Sequence, residues 1–110
     1  MTLGQKQRRF TRMVAQLIEY AYAAGFELTF GEAYRTPQQA QWNAEQGIGI
    51  ANSLHCDRLA VDFNLFRDGV YLTETEDHRP LGEFWESIGG SWGGRFGDGG
   101  HYSLAYGGRK

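Results

Sequence analysis

The sequence predicts an α+β domain, with helices packed on a small antiparallel sheet, and three observations carry that expectation. A long stretch near the N-terminus repeats its apolar residues at helical spacing. The segment from Arg58 to Phe66 alternates apolar and polar residues, with a turn and a second short apolar run behind it. The remaining segments are brief and bounded by glycine or proline, with no repeat and no linker. At 110 residues the chain reads as one domain, 1–110, with no separate binding module. That is near the size at which a single core suffices.

Phe10, Met13, Val14, Leu17, Ile18 and Ala21 follow the i, i+3, i+4, i+7 pattern of an amphipathic helix over 4–24, and Gly25 is a natural stop. Phe26 to Phe30 reads as a short strand, with Phe26, Leu28 and Phe30 on one face. Thr36 and Pro37 form a helix start, N-cap then first helical position, and the helix they open ends at Gly47. Residues 48–57 have no sustained period and read as a loop. In the strand from Arg58 to Phe66, Leu59, Val61, Phe63 and Leu65 alternate with Arg58, Ala60, Asp62 and Asn64. Arg67-Asp68-Gly69 then turns the chain, and Val70 to Leu72 returns as a hairpin partner. Leu81, Phe84, Trp85 and Ile88 predict a third helix ending at Gly89-Gly90. A glycine-rich stretch leads to a final strand within His101 to Tyr106.

Composition narrows the function. Apolar residues make up 41% and aromatics 15%, enough for a packed core. The formal charge of −2 argues against a nucleic-acid binder, which presents a basic face. The single cysteine, Cys56, leaves no intrachain disulfide for the fold to depend on. Charges precede the first apolar run, but Gln16 and Glu19 interrupt it, so a signal peptide is rejected. No membrane span is expected. The expectation is a protein made in the cytoplasm as a monomer, acting elsewhere only after release by another agent.

Asp62 is the first residue that packing does not explain. It looks out from the strand face opposite the apolar set, beside Ala60, which leaves room for a ligand or a metal. The plainer alternative is a solvent-facing aspartate. His55 lies in the loop feeding the same strand, and His101 comes from a distant segment. Two imidazoles and one carboxylate make a catalytic zinc shell with a position left for water. Asp98, three residues before His101, sits where a general base would act, or is a turn-forming residue in Gly-Asp-Gly. His78, among the charges of TEDHRP, reads as a solvated loop histidine.

Three blocks of the chain resemble the M15 zinc peptidases, the superfamily of VanY-like D-alanyl-D-alanine carboxypeptidases and L-alanyl-D-glutamate phage endolysins. The first is Glu32-Ala-Tyr34-Arg35-Thr36 with Gln39. The second runs from Ser53-Leu-His55 to Ala60-Val-Asp62-Phe63, keeping the family's seven-residue step between ligands. The third is Trp92-Gly-Gly-Arg-Phe96-Gly-Asp98-Gly-Gly-His101-Tyr102. The blocks stand in family order and span 32–102. The fold implied is that of the DD-peptidases and Hedgehog domains.

The resemblance implies one zinc ion held by His55, Asp62 and His101, with Asp98 as catalytic base. It implies Arg35 as the group that steadies developing negative charge or grips substrate. Ser53 and Tyr34 are implied beside the substrate, and Trp92 is read first as a packing residue and second as a residue lining the cleft. The implied reaction is water-mediated hydrolysis of a peptidoglycan stem peptide, most simply by an L-alanyl-D-glutamate endopeptidase of a phage or prophage. A D-alanyl-D-alanine carboxypeptidase or dipeptidase is the alternative. Two departures stand out: Gly100 replaces a proline often found before the second histidine, which implies a less rigid loop. Cys56 and Asp57 replace small residues. Rival readings are a thiol peptidase using Cys56 and a non-catalytic relative that binds wall fragments.

Overall fold

A computed structural model describes residues 1–110. The chain runs α1 (Leu3–Ala23), β1 (Glu27–Phe30), α2 (Pro37–Glu45), a 3-10 helix at Leu54–Asp57, β2 (Ala60–Arg67) and β3 (Val70–Leu72). A second 3-10 helix at Thr75–His78 leads into α3 (Arg79–Ser87). Then come β4 (Ser91–Trp92), a 3-10 helix at Gly93–Phe96, and β5 (His101–Ser103). The α+β class holds, and the boundaries of the two longest expected elements hold to within about two residues. The loop expected over 48–57 contains a short helix at its end, and β4 and the final strand are only two and three residues long.

β2 is the centre of an antiparallel sheet. Its second half pairs with β1 on one edge, Leu28 opposite Leu65, and with β3 on the other, Phe66 opposite Tyr71. Its first half pairs with β5, placing Asp62 directly opposite His101. β4 closes the far side on β5. The alternation read from the sequence sends Leu59, Val61, Phe63 and Leu65 into the core, where each is at most 3% exposed. α1 covers that face with Phe10, Met13, Leu17 and Ala21. Each large apolar side chain fully buried in this way contributes about 1.5–3 kcal/mol. α1 meets α3 through aromatic pairs, Phe10 edge-on to Trp85 and Tyr20 stacked on Phe84.

One expectation about space fails, and one apolar face is left partly open. Phe30 shares a face with Leu28, opposite the buried Phe63 and Leu65, yet is 67% exposed. β1 is an edge strand, and its last residue lies against Phe63. Ala60 does not leave open room, being 1% exposed. The space around Asp62 comes instead from Gly31, where a Cβ would lie 3.1 Å from the Asp62 Cβ and from its carbonyl oxygen.

His78 is the clearest correction. It is buried, and its Nδ1 lies 2.8 Å from the hydroxyl of Tyr102, itself fully buried. Burial pushes the Tyr102 hydroxyl far above its ordinary range, so it stays protonated. Burial also lowers His78 from 6.5, with Asp77 and Asp98 opposing the shift. The unfolded chain therefore takes up a proton more readily than the folded one as pH falls through about 6.5. Stability is fully present above that value and lost below it. Thermal melts from about pH 8 to pH 5 should show this slope in the wild type and a shallower one in His78→Gln. Equal slopes would refute the assignment to His78.

Candidate active site

The three expected ligands arrive from three elements. Ser53 caps the 3-10 helix Leu54–Asp57, its Oγ accepting the His55 amide at 3.2 Å, and so aims the His55 ring. Arg58 then ends that helix in the left-handed region, φ 56°, which turns the chain back into β2 and Asp62. His101 opens β5 opposite. His55 Nε2 lies 3.4 Å from one Asp62 oxygen, and His101 Nδ1 lies 3.3 Å from the other. One donor atom from each residue falls within 4.8 Å of the rest. Burial favours protonation of Asp62, but hydrogen bonds and charge from His101 and His55 outweigh it and hold the carboxyl well below its usual range.

This donor set fits zinc. Two nitrogens and one carboxylate oxygen face a common point, and the set is open on one side, as a catalytic rather than structural site requires. The buried Nδ1 of His55 is the one buried side-chain polar atom in the chain without a hydrogen-bond partner. The ring is thus unsatisfied on the side away from Asp62.

Arg35 reaches the same cleft, with Ser53, Ile48, Ile50, Phe96 and Asp98. Its backbone amide donates to the His55 carbonyl at 3.3 Å, tying its loop to the ligand helix. Its guanidinium is held by Glu32, Nε donating to Oε1 at 2.8 Å. A second cavity adjoins the first across Asp62 and Asp98 and continues past Asn64, Tyr71 and Glu74. Each cavity measures about 270 Å³.

The loop bearing Asp98 is tied down residue by residue. The Asp98 amide donates to Gly93, the His101 amide to Asp98, and the Phe63 amide to Gly100. Gly99 donates to Thr75 Oγ1 at 3.2 Å, and its carbonyl accepts the Trp92 indole at 2.8 Å. The loose loop expected from Gly100 is therefore braced. Glycine stands there because a Cβ would lie 2.9 Å from the Phe63 carbonyl oxygen.

Three other expected residues fall elsewhere. Trp92 is 1% exposed and braces the loop from beneath, so it touches no substrate. Tyr34 points away from the cleft and packs on the Arg58 guanidinium at 4.1 Å, because its neighbour Arg35 takes the inward direction. Cys56 turns its sulfur toward the Thr36 carbonyl, and the residues lining the cleft do not include it. The neighbouring departure has a structural reason: the Asp57 carboxylate pairs with Arg109, which also donates to the Asn52 carbonyl. Sequence reasoning missed Ile48, Ile50 and Phe96, whose only signal was large apolar side chains in otherwise polar or glycine-rich segments.

An open cleft with such a donor set, and a second carboxylate and an arginine on its walls, is the working geometry of a metal-dependent hydrolase. Residues 46–104 match the family model described as D-alanyl-D-alanine carboxypeptidase, and the chain belongs to that family of M15 zinc peptidases. Solved structures share its fold. The L-Ala D-Glu endopeptidase ChiX of Serratia marcescens matches at 18% identity and TM-score 0.75, over 93% of this chain and 85% of that one. The vancomycin-resistance D,D-pentapeptidase VanY of a VanB-type cassette, in complex with Zn(II), matches at 21% and 0.63, over 87% and 70%. VanYB in complex with D-alanine-D-alanine matches at 22% and 0.63, over 89% and 70%. No curated protein matches by sequence. No helix is long and apolar enough to cross a membrane.

Proposed function

We propose that this zinc peptidase cuts the stem peptide of peptidoglycan between L-alanine and D-glutamate. The observation that carries the endopeptidase reading is the pair of cavities meeting at Asp62 and Asp98. Space on both sides of the metal centre lets a peptide pass through, whereas a carboxypeptidase needs a closed end that grips a terminal carboxylate. The fold likeness to ChiX supports the same reading. The family description and the likeness to VanYB favour D-alanyl-D-alanine carboxypeptidase as the second reading.

His55, Asp62 and His101 would hold the zinc ion, which when bound would supply Lewis acidity and a water acidic enough to ionise near neutrality. Asp98, exposed and facing both cavities, takes the proton from the attacking water and returns it to the leaving amine. Arg35 offers its guanidinium to the negative charge that develops on the carbonyl oxygen. Ser53 acts behind His55, through the cap that orients it. The substrate is a wall polymer, so the enzyme works in the wall or periplasm after release, in the manner of a phage or prophage endolysin.

Mass spectrometry of a muropeptide digest tests this directly. The expected product pair separates an alanine-bearing glycan from a peptide beginning with D-glutamate. Release of terminal D-alanine instead would establish the second reading, and binding without new amino groups would leave a non-catalytic relative. Chelator should abolish the activity and iodoacetamide should spare it, since Cys56 is outside the cleft. The reverse result would overturn the zinc mechanism.

A further inference from the structure

We propose that Glu32 is a positioning residue for two partners at once, fixing the ring state of His55 for zinc and the reach of Arg35 for substrate. The inference rests on the assignment of His55 as a zinc ligand through Nε2. An imidazole that gives its Nε2 lone pair to a metal carries its proton on Nδ1, and that N–H needs an acceptor. In this chain His55 Nδ1 is buried and unpartnered, and Glu32 Oε1 stands 3.9 Å from it. A buried N–H left unpaired costs about 1–3 kcal/mol, so a carboxylate at that distance has a strong reason to close the gap.

The backbone places Glu32 there independently of its side chain. The Asp62 amide donates to the Glu32 carbonyl at 2.9 Å, and the Gly31 amide donates to the Asp62 carbonyl at 2.8 Å. The Arg35 amide donates to the His55 carbonyl. Residues 31–35 are thus strapped to both ligand-bearing segments. The same Glu32 oxygen receives Arg35 Nε, so one carboxylate stands between the metal's histidine and the cleft's arginine. A glutamate whose sole task was to pair Arg35 would not need to sit beside the buried His55 nitrogen.

Competition for zinc against a chromophoric chelator tests the proposal without reference to turnover. Glu32→Ala is expected to weaken zinc binding about 10–100-fold, the usual cost of losing a carboxylate behind a metal-bound histidine. Arg35→Ala, which leaves Glu32 in place, is expected to keep zinc affinity at the wild-type level. The His55 ring proton signals of the zinc-loaded protein supply the second readout. They should show an Nδ1 proton protected from exchange with water in the wild type and exchanging freely in Glu32→Ala. Should the alanine variant fail to fold, Glu32→Met keeps the length without an acceptor and is read in the same way. Zinc affinity and ring-proton exchange unchanged in the variant would overturn the proposal while leaving the zinc site intact. A wild-type chain that takes up no zinc would overturn the zinc assignment itself, and this inference with it.

Discussion

Asp98→Ala is expected to lower turnover by about 10²–10⁴-fold while zinc affinity stays at the wild-type level. The separation of the two effects follows from where the residue sits. Asp98 lines both cavities but is not one of the three converging donors. Its backbone is held on both sides, its amide to Gly93 and its carbonyl to the His101 amide, so truncating the side chain leaves the loop in place. The same bonds hold His101 in register with Asp62 whether or not the carboxylate is present. Zinc titration of the variant beside its rate on a stem peptide checks both halves. A rate above about a tenth of wild type would remove Asp98 from the role of base, given what such a group normally contributes.

The second large effect belongs to Asp62. Asp62→Asn keeps the shape of the side chain and removes its charge, along with one of two acceptors that face imidazole nitrogens. The amide would turn an NH₂ toward either His55 Nε2 or His101 Nδ1, setting a donor where a lone pair or a metal should be. Zinc affinity should fall by more than the 10–100-fold that loss of an outer partner costs, and turnover with it. Unchanged affinity in a chelator competition would mean that the metal is held elsewhere. Together the two variants separate two roles on the wall of one cleft: Asp62 failing in both assays, Asp98 in one.

Much of the scaffold was legible because its signals are local. The period of α1, the Thr36-Pro37 start of α2 and the alternation of β2 each reflect a pattern within a few residues, and each element forms where that pattern lies. Phe30 lies on the expected face yet is exposed, because alternation says which side a residue faces, and not whether anything covers that side. His78 failed for a related reason. Nothing in TEDHRP suggests burial, and its partner Tyr102 is 24 residues away on another element.

The site divides along the same line. Residue types and order suggested His55, Asp62, His101 and Asp98, the resemblance to the M15 peptidases added Arg35, and the fold brings all five to the border of one cleft. Tyr34 and Trp92 belong to the same blocks, yet one stacks outward on Arg58 and the other is sealed beneath the Asp98 loop. Adjacency in sequence does not say which way a side chain points. By itself, then, the sequence determined the fold class, which follows from local periodicity, and named a candidate donor set, which its motifs shared with the M15 peptidases carried. Only the tertiary structure decided which neighbours face the metal, that Gly100 marks a braced loop, and that Glu32 stands behind both His55 and Arg35. Those facts are set by β2 pairing with two strands and by backbone bonds between segments distant in the chain, which no local pattern encodes.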